Sequence, residues 1–444
     1  MTQPTIVFSP LQAGVPASGG VLDVLVRVQA PDRPADLDAP HSPKRLALVV
    51  DRSGSMAGQP LDEALLCVRH IANHLSPQDA LALVVYDDKV DTLLPLQPMH
   101  SADGVAKAIA GVQAGGMTNL HGGWLAGAQQ LEGGTDQAVA QTVSRVILLS
   151  DGQANHGETD LSAIEAQCRE WLARGVTTTT VGLGQGFNED LMIGMARAGG
   201  GQNYYGQTAA DLYDSFAEEL ALLQALYGRQ IGLKLLPAAG VIVEMLSPAM
   251  QQPDGSWRMT DLAWGAEAWV AVRLHLSPGA AGSHRDLLAA SVSGTALDGT
   301  PWQAHAPVLQ LPALDAVALQ ALSRDEMAHN RLEELAFSKA SEQLRKVAKD
   351  GDLAATKRAL DALEKRFGQH PWLSAKIAQL RHLADEDTVL MAKEVRYSMM
   401  RMSNRLASKS EMAYLDDETH VDESIMPSFL RKKVSEGKGK VRES

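Results

Sequence analysis

Five oxygen-bearing side chains lie where the chain leaves apolar, strand-like runs or enters helical ones. Asp51 closes the run LALVVD, and Ser53 and Ser55 follow it in DRSGSM, where the intervening glycine permits a tight turn. Thr118 in GGMTNL and Asp151 in ILLSDG occupy two further loops of this kind. Two carboxylates and three hydroxyls, with no Cys or His among them, are hard ligands. These residues therefore predict a site for Mg²⁺, with Mn²⁺ or Ca²⁺ as alternatives.

The order of the predicted elements brings these loops to one edge of a sheet. Short β-rich runs alternate with helical patterns from Arg45 to about Leu226, which is typical of an α/β domain with a doubly wound parallel sheet. The predicted strands are 45–51, 80–86, 90–96, 144–150, 177–183 and 201–205. The predicted helices are 60–75, 101–109, 120–131, 160–174, 189–197 and 209–226. In such sheets, ligands bind in a crevice at the carboxyl ends of the strands, near the point where strand order reverses. We expect this crevice at the end of the first strand.

Together these residues resemble the metal-ion-dependent adhesion site of the von Willebrand factor A (vWA) family, which is DxSxS followed by a distant Thr and a distant Asp. Asp51, Ser53 and Ser55 match DxSxS, while Thr118 and Asp151 match the other two positions. The resemblance covers about residues 44–226 and includes VVYDDKV, TVGLG and GGGQNYYGQTAADLYDSFAEEL. It implies that the three hydroxyls contact the cation directly or nearly so and that the two aspartates hold its waters. It also implies one coordination position for a carboxylate from a partner protein.

The segments on either side of this domain predict a second fold. Apolar residues alternate over 22–28 and again over 270–276, with the period of a strand that has one buried face. We therefore predict that residues 1–43 and 228–311 pair into one β-sandwich, into which the vWA domain, 44–227, is inserted. This arrangement resembles that of the inter-alpha-trypsin-inhibitor-like branch of the family.

Residues 312–407 predict a small helical bundle. Leu353, Leu360, Leu363 and Phe367 have the spacing of one helix face, and the segments 350–352 and 368–371 are breaks between helices. Residues 408–444 carry an acidic run, an apolar cluster and a basic end, which is the composition of a disordered tail.

The apolar cluster of the tail predicts a docking peptide over residues 424–433. The segment MPSFLRK resembles the short peptide IPAFLRK at the end of the bacterial tubulin-like division protein, where it docks onto partner proteins. It departs from that peptide at Met426 and Ser428. A disordered segment with apolar anchors commonly folds on binding, although an incidental apolar cluster has the same composition. The predicted contact residues are Ile425, Pro427, Phe429, Leu430 and Arg431.

Composition excludes several classes of protein. The 444 residues carry a formal net charge of −13, and this acidic balance argues against general nucleic-acid binding. No stretch approaches the roughly 20 apolar residues of a membrane span, and the first residues do not predict a signal peptide. Only Cys67 and Cys168 are present, so neither a disulfide framework nor a Cys-based zinc site is predicted. We expect a cytoplasmic, bacterial-type protein.

Three functional hypotheses follow. The first is a metal-dependent protein-binding module that acts as an adaptor in an intracellular assembly. The family resemblance implies an AAA+ ATPase or a kinase or phosphatase system as partner. The second is a Mg²⁺- or Mn²⁺-dependent hydrolase, but the sequence lacks a phosphate loop and a nucleophile elbow. Only Asp87, Asp88 and His121 are candidate bases by loop position. The third is a scaffold that does not use the site.

Overall fold

The computed structural model describes residues 3–34, 43–133, 142–183, 188–206 and 208–386, with six further positions between 388 and 408. The chain forms two compact units. One comprises residues 1–37, 225–296 and 300–444, and we call it the discontinuous unit. The other comprises residues 38–224 and 297–299, and we call it the inserted unit.

The described strands and helices follow in chain order. The strands are β1 (Thr5–Pro10), β2 (Val15–Pro16), β3 (Gly20–Gln29), β4 (Lys44–Asp51), β5 (Ala80–Tyr86), β6 (Val90–Pro98), β7 (Val143–Ser150), β8 (Val176–Leu183), β9 (Gly200–Gly206), β10 (Leu226–Pro237), β11 (Val241–Met245), β12 (Met250–Gln251), β13 (Trp257–Arg258), β14 (Leu262–Ala263), β15 (Ala266–Leu276), β16 (His284–Ala296), β17 (Pro301–His305), β18 (Leu309–Leu314) and β19 (Ala407–Ser408). The helices are α1 (Gln59–Asn73), α2 (Ala102–Ile109), α3 (Leu120–Gln130), α4 (Leu161–Ala173), α5 (Glu189–Ala198), α6 (Ala209–Gln224), α7 (Ala316–Gln320), α8 (Glu326–Lys349), α9 (Leu353–Phe367) and α10 (Pro371–Glu386).

The inserted unit is built on a six-stranded sheet of order β6-β5-β4-β7-β8-β9. Its strands are parallel except β6, which pairs antiparallel with β5. The sequence predicted a parallel sheet, and β6 differs because only three residues separate it from β5. A connection that short permits a hairpin but no crossover. The doubly wound α/β fold is otherwise confirmed, and strand order reverses beside β4, where the polar loops gather.

The core of the inserted unit fixes the positions of the loops around β4. Helix α3 packs on the central strands through Trp124, which is fully buried and donates from Nε1 to Thr178 Oγ1 at 3.0 Å. The cap of the same helix is Asn119, whose Oδ1 accepts from Gly122 N at 3.0 Å. Thr118 therefore lies at the start of a well-packed helix.

The discontinuous unit contains two sheets made from strands on both sides of the insertion. Strand β3 pairs antiparallel with β15 along its whole length, from Gly20 opposite Leu276 to Gln29 opposite Glu267. The segments that precede and follow the insertion are both hydrogen-bonded to one turn, at Trp264 and Gly265. Gly265 N donates to Pro31 O at 2.9 Å and Trp264 N donates to Ala225 O at 2.8 Å.

The sheet that contains β3 and β15 is buried on one face and partly covered on the other. The alternating residues 22–28 and 270–276 are buried as predicted, but Leu25 and Ala271 on the opposite face are buried too. They pack against Ala328 of α8. On this second face Arg27 forms a bidentate pair with Glu267, at 2.9 and 2.8 Å. Helix α8, which follows β18, therefore covers part of the face that the period-2 pattern left to solvent.

The helical segment has the predicted breaks, since α8 ends at Lys349, α9 spans Leu353–Phe367 and α10 begins at Pro371. Leu360, Leu363 and Phe367 are buried as expected. Leu353, the first residue of the same helix, is 42% exposed. Strand β18 runs to Leu314, past the predicted boundary at 311. Residues 409–444, including the predicted docking peptide, lie outside the described residues.

Candidate metal centre

Asp51 lies at the base of the predicted site, fully buried at the end of β4. Its Oδ1 accepts from Ser53 N at 2.8 Å. Its Oδ2 accepts from Ser150 Oγ at 2.6 Å and from Tyr86 Oη at 3.2 Å. Both oxygens are thus held, by donors from the loop after β4 and from β5 and β7, so the carboxylate has a fixed orientation.

The charge state of Asp51 reflects competing effects. Burial raises the pKa of its carboxyl group above the usual value, the hydrogen bonds from Ser150 and Ser53 oppose that rise, and the negative charge of Asp151 adds to it. Burial and the neighbouring Asp51 also raise the pKa of Tyr86 well above its usual value. Tyr86 therefore remains a neutral donor. A cation near two buried carboxylates would favour their charged forms.

The two serines of the first loop turn their hydroxyls toward each other. Ser53 Oγ and Ser55 Oγ are 3.2 Å apart, the former buried and the latter exposed. The turn is a short 3₁₀ segment, Gly54–Met56, whose Met56 is fully buried and anchors the loop. Two hydroxyl oxygens at this separation can share one small cation.

Backbone hydrogen bonds join the Thr118 loop to the serine loop. Gly54 N donates to Gly116 O at 3.2 Å, and Gly115 N donates to Arg52 O at 2.9 Å. Thr118 is 1% exposed. The structure therefore brings Thr118 to the serine loop, as the family resemblance implies.

Asp151 approaches from the neighbouring strand β7. It is 5% exposed, its Oδ1 accepts from Gln153 N at 3.1 Å, and its own carbonyl accepts from Asn188 N at 2.8 Å. All five residues thus come from loops at the carboxyl ends of β4 and β7 and from the loop before α3. Among the described residues no group of three His, Cys, Asp or Glu side chains is placed to hold a metal ion. The donor set here has only two carboxylates and relies on hydroxyls.

Three residues that position the site were not predicted. Ser150 and Tyr86 hold Asp51, and Asn155 accepts from Thr118 N through Oδ1 at 2.7 Å. Ser150 and Tyr86 end strands and Asn155 lies in a loop, and nothing in their local sequence distinguishes them from other polar residues. The one available signal is that Ser150 directly precedes Asp151.

Two of the three candidate bases of the hydrolase hypothesis, Asp87 and His121, have other partners. Asp87 accepts from Arg52 Nε at 2.9 Å and from Lys89 N at 2.7 Å. His121 Nε2 lies 2.9 Å from Gln167 Oε1. Asp88 is exposed beside the glycine loop. These contacts do not support a general base at the site.

Sequence comparisons identify relatives of the inserted unit. Residues 46–218 match the profile of the von Willebrand factor type A domain. The chain is 28% identical over 212 residues to the uncharacterized protein sll0103 of Synechocystis sp., a match that covers 47% of each chain. It is 32% identical over 147 residues to human inter-alpha-trypsin inhibitor heavy chain H4, covering 32% of this chain and 16% of that one. The chain thus spans less than half the length of these relatives.

Solved structures match over nearly the whole chain. A von Willebrand factor type A protein from Catenulispora acidiphila aligns with a TM-score of 0.64 at 16% identity, covering 99% of this chain and 98% of that one. The ArnB paralog VWA2 from Sulfolobus acidocaldarius aligns with a TM-score of 0.58 at 15% identity, covering 90% and 99%. These likenesses show a shared fold. Within the described residues no helix is long and apolar enough to cross a membrane.

Proposed function

The chain contains a von Willebrand factor type A domain at residues 46–218, and from that premise we propose that it is a metal-dependent protein-interaction module. Domains of this family are commonly protein-interaction modules and often bind a divalent metal. The finer proposal is that Asp51, Ser53, Ser55, Thr118 and Asp151 hold Mg²⁺ and that the ion binds an acidic residue of a partner protein. In this role the chain acts as an adaptor in an assembly.

The observation that carries this proposal is the convergence of hydroxyls above a carboxylate whose oxygens are already hydrogen-bonded. Ser53 Oγ lies 3.2 Å from Ser55 Oγ, and the Gly54–Gly116 hydrogen bond ties the Thr118 loop to the same point. Asp51 accepts three hydrogen bonds, which suits a residue that binds water ligands of the ion and does not ligate the ion directly. Direct ligation then falls mainly to neutral hydroxyls.

Neutral ligands explain why a partner carboxylate would be recognised. A Mg²⁺ ion bound by few anionic ligands keeps an electrophilic position that an external carboxylate fills. The chain's own contribution is to hold the hydroxyls and the Asp51 carboxylate in place. Ser55 is exposed and Ser53 is buried, so the open side of the site lies toward Ser55.

Metal binding is the first test. Isothermal titration of Mg²⁺ and Mn²⁺ into the full chain should give one site for wild type. The double variant Ser53→Ala and Ser55→Ala should have an affinity for the metal ion about tenfold lower or more, because two ligands are lost without a change of buried charge. Asp103→Asn, which changes an exposed carboxylate on α2, is the matched control and should bind as wild type does. Equal affinity in all three proteins would exclude this site.

Partner capture is the second test. Wild type and Asp51→Ala are used in parallel to retain proteins from lysate in Mg²⁺ and in EDTA, followed by mass spectrometry. A protein retained only by wild type in Mg²⁺ supports the carboxylate bridge. If the same proteins are retained in all four conditions, the metal site does not take part in partner binding. Phosphatase or nuclease turnover that Asp51→Ala abolishes would favour the hydrolase hypothesis.

A further inference from the structure

The surface around the candidate metal centre combines an exposed apolar side chain, Met117, with several exposed carboxylates. We propose that the partner segment presents its metal-binding carboxylate between basic residues and next to an apolar side chain, and that Met117 contacts that apolar side chain. This inference rests on the proposed function and specifies the chemistry of the partner.

Met117 is an exposed apolar residue that its backbone holds in place. Its side chain is 50% exposed, although the next residue, Thr118, is 1% exposed. On one side Gly116 O accepts from Gly54 N at 3.2 Å. On the other side Thr118 N donates to Asn155 Oδ1 at 2.7 Å, and Thr118 O accepts from Asn155 N at 3.1 Å. Met117 is therefore fixed next to a predicted ligand, and a flexible thioether there can adapt to an apolar side chain of a partner.

Charged residues next to this loop are mainly acidic. Arg52 is the one cation between two carboxylates, since it pairs with Asp87 at 2.9 Å and with Asp91 at 2.5 Å. Asp88 is exposed and lies against Gly116. This side of the loop therefore carries a net negative charge that the neighbouring Lys89 only partly offsets.

The other side of the loop is acidic as well. Gly157 lies against Asn119, and the exposed Glu158 follows it and accepts from Asp160 N at 2.8 Å. Asp160 is also exposed and caps α4 through Ala163 N. The formal charges of Asp51 and Asp151 equal that of a divalent ion, so the exposed carboxylates of Glu158 and Asp160 add negative charge beyond the ion's own.

An isolated acidic peptide would meet this field with repulsion. Positive charges on either side of the partner's carboxylate would face the exposed carboxylates of Asp88, Glu158 and Asp160. They would speed association and align the partner's carboxylate with the metal ion. The same reasoning disfavours a polyacidic segment. The preferred partner thus has one acidic residue for the ion, basic neighbours for the rim and an apolar residue for Met117.

Four synthetic peptides test this preference on the full chain. The reference is acetyl-Gly-Leu-Lys-Asp-Lys-Leu-Gly-amide, and the others replace both Lys by Glu, both Leu by Ser, or Asp by Asn. Fluorescence anisotropy in Mg²⁺ at 0.05 M salt should show the reference binding about tenfold more tightly than the Glu peptide and about fivefold more tightly than the Ser peptide. The advantage over the Glu peptide should shrink at 0.5 M salt, because screening weakens exposed charge pairs.

Protein variants assign each preference to its residue. Met117→Gln should remove the advantage of the Leu peptide over the Ser peptide and keep the advantage of Lys over Glu. Asp88→Asn should reduce the Lys advantage about twofold to threefold and leave the Leu advantage intact. Val317→Gln, which changes a residue that is 80% exposed on α7, and Asp103→Asn are the controls and should bind as wild type does.

The outcomes separate this inference from the proposed function. If the reference, Glu and Ser peptides bind equally in Mg²⁺ and the Asn peptide does not bind, the carboxylate bridge stands and the partner chemistry inferred here is overturned. If the Asn peptide binds as well as the reference, or EDTA changes nothing, the proposed function itself fails. If Met117→Gln still binds the reference peptide more tightly than the Ser peptide by the wild-type factor, the proposed role of Met117 is overturned.

Discussion

Substituting Gly116 by alanine should impair metal binding without removing a ligand. Gly116 has a φ of +73°, a left-handed conformation that costs other residues about 1–2 kcal/mol. A Cβ atom there would lie 3.1 Å from Asp87 Cβ and would run into the Asp88 carboxylate. The loop would relieve that strain by moving, and the Gly116–Gly54 hydrogen bond that aligns the Thr118 loop with the serine loop would be lost.

The magnitude follows from these contacts. If the bound state requires the wild-type loop, a strain of about 1.4 kcal/mol weakens metal affinity about tenfold. The same strain should lower the melting temperature of the inserted unit by about 3–6 °C. Gly115→Ala is the matched control, because a Cβ at that adjacent position meets nothing within 4 Å and the residue has no positive φ.

Calorimetric titration with Mn²⁺ and thermal melts with and without metal measure both effects. Gly116→Ala should bind about tenfold more weakly than wild type, and added metal should stabilise it less. Gly115→Ala should resemble wild type in both assays. Wild-type affinity in Gly116→Ala, or an equal loss in both variants, would refute the reasoning that loop alignment determines the site.

Three further predictions concern other parts of the chain. Burial alone would raise the pKa of Glu219, but the Arg145 guanidinium lowers it below the ordinary 4.5. The ionised Glu219 therefore stabilises the folded state above pH 4.5, and this contribution is lost as the pH falls through the lowered pKa. Arg145→Met should cost about 3–5 kcal/mol at pH 7 in denaturant melts and flatten the acid limb, and an unchanged acid limb would contradict this. Burial lowers the pKa of His370 from 6.5, and within the part of the chain that the structure describes its buried Nε2 has no hydrogen-bond partner. Melts should therefore show stability declining below pH 6.5 in wild type and declining less in His370→Gln. Deleting residues 424–433 should release the proteins that dock on the tail while Mg²⁺ affinity stays at the wild-type value, and an unchanged set of co-purifying partners would refute the docking peptide.

The sequence predicted the inserted fold well because its local patterns agree with its packing. Each predicted strand lies within two residues of the observed one, since runs such as 80–86 and 144–150 are apolar on both faces and are bounded by polar loops. The DxSxS spacing also determines the turn that brings Ser53 and Ser55 together. These features depend on residues close in sequence, which a single chain reveals.

Features that depend on distant residues escaped prediction. Leu25 and Ala271 are buried because α8, more than 50 residues beyond Ala271, covers them, and no local pattern indicates that contact. Ser150 holds Asp51 across 99 positions of sequence through one hydrogen bond. Both cases concern the tertiary arrangement of side chains whose types are common in strands.

The turn at Trp264 and Gly265 bonds the two points where the chain leaves and rejoins the discontinuous unit. Since Pro31 O and Ala225 O accept from adjacent residues, the ends of the intervening segment are neighbours in space. A short glycine-rich linker could therefore replace the segment while β3 and β15 keep their register. Closing a loop of about ten residues instead of nearly two hundred would also reduce the entropic cost of pairing these strands by about 2–3 kcal/mol. The architecture therefore lets the inserted unit be exchanged at a single pair of neighbouring chain ends.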